Sequence, residues 1–411
     1  MSFQQGLSGL NAATAYLDVT GNNIANTATV GFKSGSTQFA DVYATSLTGS
    51  GSLQVGIGVQ VADIAQKFTQ GNTSVTNNPL DVAINGEGFF RINNAGMITY
   101  TRNGQFQLDK DGYVVNNGGM RLTGYNVSGG QIVQAAPADI QISFADISPN
   151  ATSRAGLVLN LDASKSAPAV APFDPANAST YNDSTSMTLY DSLGNSHALT
   201  LFFVKTANPR EWQVYGQIDG TALANVNLGG GAGLPVTVDF NASGQLTTGM
   251  PFAASAVVGG GAVSPLAFDL NLTGSTQYGS NFGVNSVSQD GYSSGRIAAL
   301  SIAQDGMIMG SYTNGQSNIL GQVALANFVS PRGLQSLGNN QWAETSESGQ
   351  PIVGAPSTGT LGLVQSGAVE ESNVDLTAEL VNLIVAQRMY QANAQTIRAQ
   401  DQILQTLINL R

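Results

Sequence analysis

The sequence contains no cysteine among its 411 residues. Without thiols the chain cannot form a disulfide, a thiolate nucleophile or a zinc–thiolate site. Histidine is nearly absent as well, because His197 is the only one, and a single imidazole supports a catalytic triad only if a serine and an aspartate converge on it. No Gly-Lys pair marks a phosphate-binding loop. These absences predict a protein that is not an enzyme and that uses no cofactor and no metal.

Charged residues are also scarce. They make up 10% of the chain, and the net charge is −11. Nucleic acid requires a basic patch, which an acidic chain does not favour. No basic residue precedes Lys33, the start lacks a signal-peptide pattern, and no stretch reaches the roughly 18 apolar residues that cross a membrane. We therefore expect no nucleic-acid partner, no membrane insertion and no cleaved signal peptide.

What the chain does have is an amphipathic segment at each end. Residues 1–27 and 373–411 predict helices whose apolar residues recur at alternating steps of three and four, the spacing of a coiled-coil seam. The second helix should begin at a capping box, with Ser372 as cap and Asp375 bonding back to it. The expected seam and packing residues are Phe3, Leu7, Leu10, Leu17 and Ile24 in the first helix and Leu376, Leu380, Leu383, Tyr390, Ile397 and Leu404 in the second.

Three asparagines, Asn22, Asn23 and Asn26, crowd the end of the first helix. They could simply cap and fray the helix. They could instead donate hydrogen bonds to a neighbouring subunit. Both interpretations remain open, and we include the three residues among the candidates for packing between subunits.

Two acidic residues, Glu370 and Glu371, precede the second helix. At that place their negative charge would complement the positive end of the helix dipole. We therefore expect both carboxylates to lie at the helix start and to have no catalytic role.

The middle of the chain predicts antiparallel β-structure. Short apolar runs alternate with turn signals in residues 71–145, where Asn85-Gly86 and Asn103-Gly104 predict hairpins. Prolines mark a boundary near residue 146, and residues 146–284 predict a second, outer β-domain, after which residues 285–365 complete the first. The expected fold is mainly β with helical termini: two antiparallel β-domains, one inserted in the other, and a coiled-coil-like pair of terminal helices. The helical domain would comprise residues 1–30 and 371–411, and residues 31–70 would form an extended linker or strap.

Both ends carry motifs that resemble those of bacterial flagellar axial proteins, the rod and hook family. The N-terminal motifs cover residues 8–13, 22–27 and 31–33. The C-terminal motifs cover residues 372–376, 387–393 and 401–404. Either set alone is suggestive, and both sets at the matching ends make the resemblance specific.

The middle of the chain resembles the hook branch of this family. Residues 81–90 and 100–104 are similar to the inner β-domain that hook and distal-rod proteins share, and residues 189–195 are similar to a hook segment. The distal-rod branch is shorter and lacks the large insertion that residues 146–284 supply here. Cysteines that crosslink subunits in some relatives are absent, so that crosslink cannot form.

The resemblance implies a structural subunit that polymerises into the curved hollow tube of the flagellar hook, a universal joint between rod and filament. The implied partners are further copies of the chain, the hook cap, the distal rod, the hook–filament junction proteins and the flagellar type III export apparatus. The implied location is the bacterial flagellum outside the cell, reached without a cleaved signal peptide. The terminal helices would pack around the channel and stay largely disordered in a free subunit.

Three alternatives stay open at this point. The two helices could pair as a local hairpin within a monomer. A distal rod protein with an unusual insertion would build a straight tube instead. A secreted oligomeric adhesin would combine β-domains with an oligomerising tail, although its carbohydrate site would normally need clustered aromatic side chains and paired carboxylates.

Overall fold

The computed structural model describes residues 2–42, 56–133 and 135–409. The chain divides into two compact units. Unit 1 comprises Met1–Phe144, Ala298–Ser311 and Ser317–Arg411, and unit 2 comprises Ala145–Ile297 and Tyr312–Gln316. The fold is mostly β with a helix at each end, which confirms the predicted fold class.

Unit 1 contains the two α-helices, α1 (Ser2–Ala25) and α2 (Leu376–Asn409). They run antiparallel, because Gly6 approaches Ile397 at one end and Asn23 bonds to Glu379 at the other. Neither helix is long and apolar enough to span a membrane, and the same holds for the remainder of the described chain.

Helix α2 begins later than predicted. Asp375 is its cap, because the Asp375 carboxylate accepts the backbone N–H groups of Thr377 and Ala378 at 2.9 and 3.2 Å. Ser372, the predicted cap, accepts only the N–H of Val374, at 3.3 Å. The physical reason lies in Asn373 between them, whose side chain is committed to other parts of unit 1 and holds the backbone there out of the helix.

The first strands along the chain belong to unit 1. They are β1 (Gly35–Val42), β2 (Gly58–Gln66), β3 (Thr73–Val75), β4 (Val82–Asn85), β5 (Phe89–Asn94), β6 (Met97–Thr101), β7 (Phe106–Leu108), β8 (Val114–Asn116), β9 (Arg121–Ser128), β10 (Gln131–Ile132) and β11 (Ala138–Asp139).

The next strands belong to unit 2. They are β12 (Arg154–Asp162), β13 (Asp183–Tyr190), β14 (Ser196–Lys205), β15 (Glu211–Ile218), β16 (Val226–Asn227), β17 (Val236–Asp239), β18 (Phe252–Ala256), β19 (Leu266–Asn271), β20 (Thr276–Tyr278) and β21 (Gly283–Gln289). Short 3₁₀ turns occur at Ala178–Thr180 and Leu223–Asn225 in this unit, and at Pro331–Gly333 in unit 1.

The chain then returns to unit 1. Its last strands are β22 (Ile297–Ile302), β23 (Met307–Tyr312), β24 (Ser317–Val323), β25 (Leu325–Asn327), β26 (Gln335–Gly338), β27 (Gln341–Ala343), β28 (Ile352–Gly354), β29 (Leu363–Ser366) and β30 (Ala368–Glu370).

The main sheet of unit 1 joins early and late parts of the sequence. Its central order is β22-β23-β24-β9-β5-β6-β27-β26. The hairpins predicted at Asn85-Gly86 and Asn103-Gly104 do not form, because β4 pairs with β29 and β6 pairs with β5 and β27. Both turn signals lie between strands, but strands that arrive more than 200 residues later pair with β4 and β6.

The segment 31–70, predicted as an extended linker, contains a two-stranded antiparallel ribbon. Strand β1 pairs with β2 from Gly35 opposite Gln66 to Val42 opposite Gly58. The ribbon packs on α1, where Phe39 lies edge-on to Tyr16 with ring centroids 6.1 Å apart. The described part of the segment therefore has a partner within its own unit, and residues 43–55 of the predicted strap lie outside the described residues.

Unit 2 contains two sheets around one core. A four-stranded antiparallel sheet has the order β13-β14-β15-β17, and a six-stranded sheet has the central order β16-β18-β19-β12-β20. Both sheets contribute to a single apolar cluster, in which Leu201, Phe203 and Trp212 are fully buried. The predicted antiparallel pairing is correct except at β12, which pairs antiparallel with β21 on one side and runs parallel to β19 and β20 on the other.

Candidate functional site

The contact between α1 and α2 uses small residues. A Cβ atom on Gly6 would lie 3.0 Å from Cγ1 of Ile397, and one on Gly9 would lie 2.7 Å from Oδ1 of Asn393. Ala13 in α1 and Ala386 in α2 are fully buried. Because these side chains are short, the two helix backbones approach closely, and little apolar area is needed to cover the contact.

The large residues of the predicted seam lie beside this contact. The residues Phe3, Leu7, Leu376, Leu380, Tyr390 and Leu404 are 39–52% exposed. Leu10, Leu17, Ile24, Leu383 and Ile397 are half-buried. Their role in packing between subunits therefore stays a prediction, whereas Ile397 already uses part of its surface against Gly6.

The row of residues that contacts α2 differs from the predicted seam of large residues, and the helix geometry explains why both fit the sequence pattern. Positions 6, 9, 13, 20 and 23 of α1 turn towards α2 and the ribbon, whereas positions 3, 7, 10, 17 and 24 follow the same three-and-four spacing on the adjacent side of the helix. Spacing alone does not distinguish the row of small residues from the row of large residues. In the structure the small residues form the contact within the chain, and the large residues remain exposed or half-buried.

A second exposed apolar group lies on α2 and was missed by the sequence analysis. Val381, Ile384 and Val385 are 55%, 50% and 44% exposed. They recur at i, i+3 and i+4, which is the spacing of one helix face. The signal was present in the sequence, but it competed with the seam through Leu380 and Leu383.

The three asparagines at the end of α1 have different roles. Asn23 is 2% exposed; its amide donates to the Gly35 carbonyl at 2.8 Å and to Glu379 at 3.1 Å, and it accepts the Gly35 N–H. Its hydrogen bonds are formed within the chain, and its part in packing between subunits stays a prediction. Asn26 donates to the Asn22 carbonyl at 2.9 Å, as expected of a helix end. Asn22 is exposed.

A buried ion triad connects the two chain ends to the β-structure of unit 1. Glu370, in β30, accepts Lys33 Nζ at 2.6 Å and Arg102 Nη1 at 3.0 Å, and the three side chains are 0–4% exposed. We call Lys33, Arg102 and Glu370 the clamp. Glu370 therefore lies in a strand and not at the helix start, which corrects the expectation that it complements the helix dipole.

Further hydrogen bonds hold the clamp, although the buried Arg102 Nε has no hydrogen-bond partner among the described residues. Lys33 also donates to the Thr69 carbonyl at 2.7 Å, and Arg102 donates to the Gly86 carbonyl at 2.8 Å. Burial lowers the pKa of Lys33, and the Glu370 carboxylate offsets only part of this effect. Burial lowers the pKa of Arg102 in the same way. Such a group is costly to bury unless every member is paired, so its retention indicates a positional role.

Asn373 extends the clamp to the start of α2. Its side-chain oxygen accepts the N–H of Ser34 at 2.8 Å, and its amide donates to the Lys67 carbonyl at 2.7 Å and to Thr69. The backbone N–H of Gly31 donates to the Glu370 carbonyl at 2.7 Å. The chain leaving α1 and the chain entering α2 are therefore bound to each other where they meet the β-structure.

His197 lies between two carboxylates in unit 2. Its Nδ1 is 2.6 Å from Asp219 Oδ2, and its Nε2 is 3.2 Å from Asp191 Oδ2. Burial alone would lower the pKa of His197, but the hydrogen bonds to Asp219 and Asp191 outweigh it and raise the pKa. Both ring nitrogens are occupied by structural partners, so the imidazole holds the turn after β13. Within the described ranges, no cluster of three or more metal-ligating side chains forms.

Four family models match successive parts of the chain. The matches are "Flagella basal body rod protein" over residues 3–33, "Flagellar hook protein FlgE/F/G D1 domain" over 83–155, "Flagellar basal body protein FlaE D2 domain" over 160–292 and "Flagellar basal body rod FlgEFG protein C-terminal" over 365–410.

Known proteins match over the whole length. The chain is 45% identical to flagellar hook protein FlgE of Escherichia coli K12 and 44% identical to that of Salmonella typhimurium LT2, with 100% of each chain covered. It is 34% identical to FlgE of Borreliella burgdorferi, covering 100% of this chain and 99% of the relative. A crystal structure of Helicobacter pylori FlgE2 is similar at a TM-score of 0.50 and 15% identity, over 72% of this chain and 99% of that chain, which shows likeness of fold alone.

Proposed function

The chain belongs to the flagellar hook protein family, and from this premise we propose how its two ends build a polymer. It is a structural subunit of the flagellar hook, the curved hollow tube that acts as a universal joint between rod and filament. Similarity to hook proteins over the full length, including the domain at residues 160–292, favours this function over a distal rod protein with an insertion or a secreted adhesin. We propose that the protein has no catalytic activity.

The terminal helices are the proposed polymerisation surface. The observation that carries this proposal is the exposure of large apolar residues on both helices, among them Phe3 and Leu7 on α1 and Leu376 and Leu380 on α2. Exposed apolar side chains arranged along a helix favour burial against other helices. Because the contact within the chain uses small residues, it leaves these large ones available for further copies.

The structure pairs α1 with α2, the hairpin arrangement that the sequence analysis left open. We propose that this pair is weak in a free subunit, since α1 approaches α2 at Gly6 and Gly9 and the fully buried apolar side chains described on the helices are the alanines Ala13 and Ala386. Side chains of this size supply little hydrophobic free energy. Stable ordering of both helices would then follow assembly, when the large residues are covered.

The remaining partners and the location rest on family membership. We propose that the subunit contacts the hook cap during growth and the distal rod and the hook–filament junction proteins at the ends of the tube. We also propose that it reaches the outside of the cell through the flagellar type III export apparatus. A chain without disulfides suits export in an unfolded state.

Electron microscopy of purified protein under salting-out conditions tests the polymerisation surface. The full chain is compared with a truncation that lacks residues 1–30 and 371–411, which removes both helices but keeps all three clamp residues. Curved tubes from the full chain and none from the truncation are the expected result. Straight tubes would indicate a rod protein, and monomers or small closed oligomers from the full chain would contradict the proposal.

The proposed strap, residues 31–70, includes the ribbon of β1 and β2. We propose that it limits how far α1 can move relative to the β-structure of unit 1, because it packs on α1 through Phe39 and Tyr16. Deletion of residues 36–58 should change the bending stiffness of the tube or prevent its assembly. Unchanged assembly and stiffness would contradict this role.

A further inference from the structure

Charges are rare on the terminal helices. Asp18 is the one charged residue of α1, and α2 contains Glu379, Arg388, Arg398 and Asp401. If these helices are covered by other copies, each charge must either remain in contact with water or find a partner of opposite sign. The positions of these few charged side chains therefore indicate which helix faces contact each other in the polymer.

Arg388 occupies the exposed apolar face of α2. It follows Val381 by seven residues, and Ile384 and Val385 lie between them on the same side. It lies about 200° around the helix from Ala386, which is buried against α1. Arg388 is exposed and, within the described part of the chain, forms no ion pair.

Asp18 is an exposed charge of opposite sign on α1, on a side of the helix where Thr14 and Asn22 lie one turn before and after it. The same side also presents Leu7, which is exposed too. Among the described residues its carboxylate has no partner. The other carboxylates of the helix pair are engaged, because Glu379 accepts Asn23 and Asn382 and Asp401 accepts Gln405.

We infer that Asp18 of one copy pairs with Arg388 of a second copy where the outward faces of α1 and α2 meet in the polymer. The inference rests on the proposed function, since it requires that the helices assemble with other copies. The apolar side chains around Arg388, which are Val381, Ile384 and Val385, exclude water when the faces meet, and an unpaired charge there would oppose assembly. The Asp18 carboxylate provides the negative partner for the Arg388 guanidinium. The ion pair would therefore also fix the register of the two helices.

Crosslinking tests this contact without interference, because the chain has no cysteine of its own. Tubes are grown from an equal mixture of Asp18→Cys and Arg388→Cys variants, one of them carrying a size tag, and treated with a short bismaleimide. Covalent heterodimers are the expected product. The matched control replaces Arg388→Cys with Arg398→Cys, which lies ten residues or about 15 Å further along α2.

Equal crosslinking by the Arg388 and Arg398 variants would overturn the inference. Preferential crosslinking of Arg388→Cys to Asp41→Cys or Asp63→Cys would overturn it as well, since these exposed carboxylates belong to the ribbon. Failure of the unmodified chain to form tubes is a separate result, because it contradicts the proposed function and not the pairing alone.

Charge reversal provides the energetic test. Asp18→Arg or Arg388→Asp alone should raise the protein concentration needed for tube formation about tenfold or more, because each places like charges across the contact. The double variant should restore assembly towards that of the unmodified chain. Arg398→Asp is the control and should change assembly little. Unimpaired assembly of both single variants, or no recovery in the double variant, would overturn the inference.

Discussion

The core of unit 2 and the surface of the terminal helices use large apolar residues in opposite ways. In unit 2, Leu201, Phe203 and Trp212 are fully buried among residues of the same unit. On the helices, Phe3 and Leu380 remain 48% and 45% exposed. The first arrangement completes a fold within one chain. The second leaves hydrophobic free energy available for contacts with other copies, which is what a polymer subunit requires.

The clamp is a third arrangement. It buries charged side chains, whereas the core of unit 2 buries apolar side chains and the terminal helices expose them. It lies where the chain leaves α1 and approaches α2, and its three side chains belong to neither helix. The clamp would therefore keep both helices attached to the β-structure of unit 1 before they pack against other copies. The predictions that follow test these three arrangements separately.

Removal of the Glu370 charge should have the largest effect. Glu370→Gln leaves Lys33 and Arg102 buried without a counter-charge, and breaking a buried pair on one side costs about 3–5 kcal/mol. Unit 1 should lose this free energy of unfolding in denaturant titrations. The chain has two tryptophans, Trp342 in unit 1 and Trp212 in unit 2. A Trp212→Phe background therefore makes fluorescence report on unit 1.

Glu371→Gln is the matched control for the clamp, because the neighbouring Glu371 side chain is exposed. It should leave the stability of unit 1 almost unchanged. A loss of less than about 1 kcal/mol for Glu370→Gln would show that the triad contributes no more than an exposed ion pair.

A pair of leucine substitutions compares the core with the assembly surface directly. Leu201→Ala should destabilise unit 2 by about 2–5 kcal/mol, because the side chain is 0% exposed. Leu380→Ala should change the stability of the subunit by no more than about 0.5 kcal/mol, since the side chain is 45% exposed. Tube formation should respond in the reverse order, with Leu380→Ala the more harmful. Equal effects of both variants on assembly would contradict the distinction.

The sequence was sufficient to predict the mostly β fold, the helical ends and the hook resemblance, because hydrophobic periodicity and end motifs are local signals. It did not predict the clamp, since Lys33, Arg102 and Glu370 are distant in sequence and only the fold brings them together. It also could not choose between two seams on α1 with the same spacing. The hairpin predicted at Asn85-Gly86 failed for a related reason: the partner of β4 is β29.

Two glycine substitutions examine the seam within the chain. Gly21→Ala should stabilise α1 by about 0.5–1 kcal/mol, because nothing lies within 4 Å of the added Cβ. Gly9→Ala should lose this gain, since its Cβ would lie 2.7 Å from Oδ1 of Asn393. Thermal melting followed by far-ultraviolet circular dichroism measures both variants. If Gly9→Ala raised the helix signal as much as Gly21→Ala, the contact between Gly9 and the Asn393 side chain would be shown to carry no cost, because that side chain would have moved aside.

The smallest effect should come from pH, and it should appear in unit 2 alone. The folded-state pKa of His197 is raised by Asp219 and Asp191, so its stabilising contribution is complete below the unfolded pKa of about 6.5 and is lost as pH rises through the folded pKa. For Asp191, burial acts to raise the pKa, but hydrogen bonds from Asn195 and His197 outweigh it and hold the pKa at about 2. Its contribution is present above the unfolded value near 4 and is lost as pH falls towards 2.

Unit 2 should therefore be most stable between about pH 4 and pH 6.5. Denaturant titrations of the Trp342→Phe variant, with Trp212 as reporter, should show stability decreasing above this range. His197 is the only histidine and the chain has no cysteine, so no other side chain with an ordinary pKa titrates there. His197→Gln should abolish the decrease, and unit 1, followed through Trp342, should not show it. If the decrease in stability persisted in the His197→Gln variant, another group would cause it, and the His197 imidazole would not contribute to the pH dependence of unit 2.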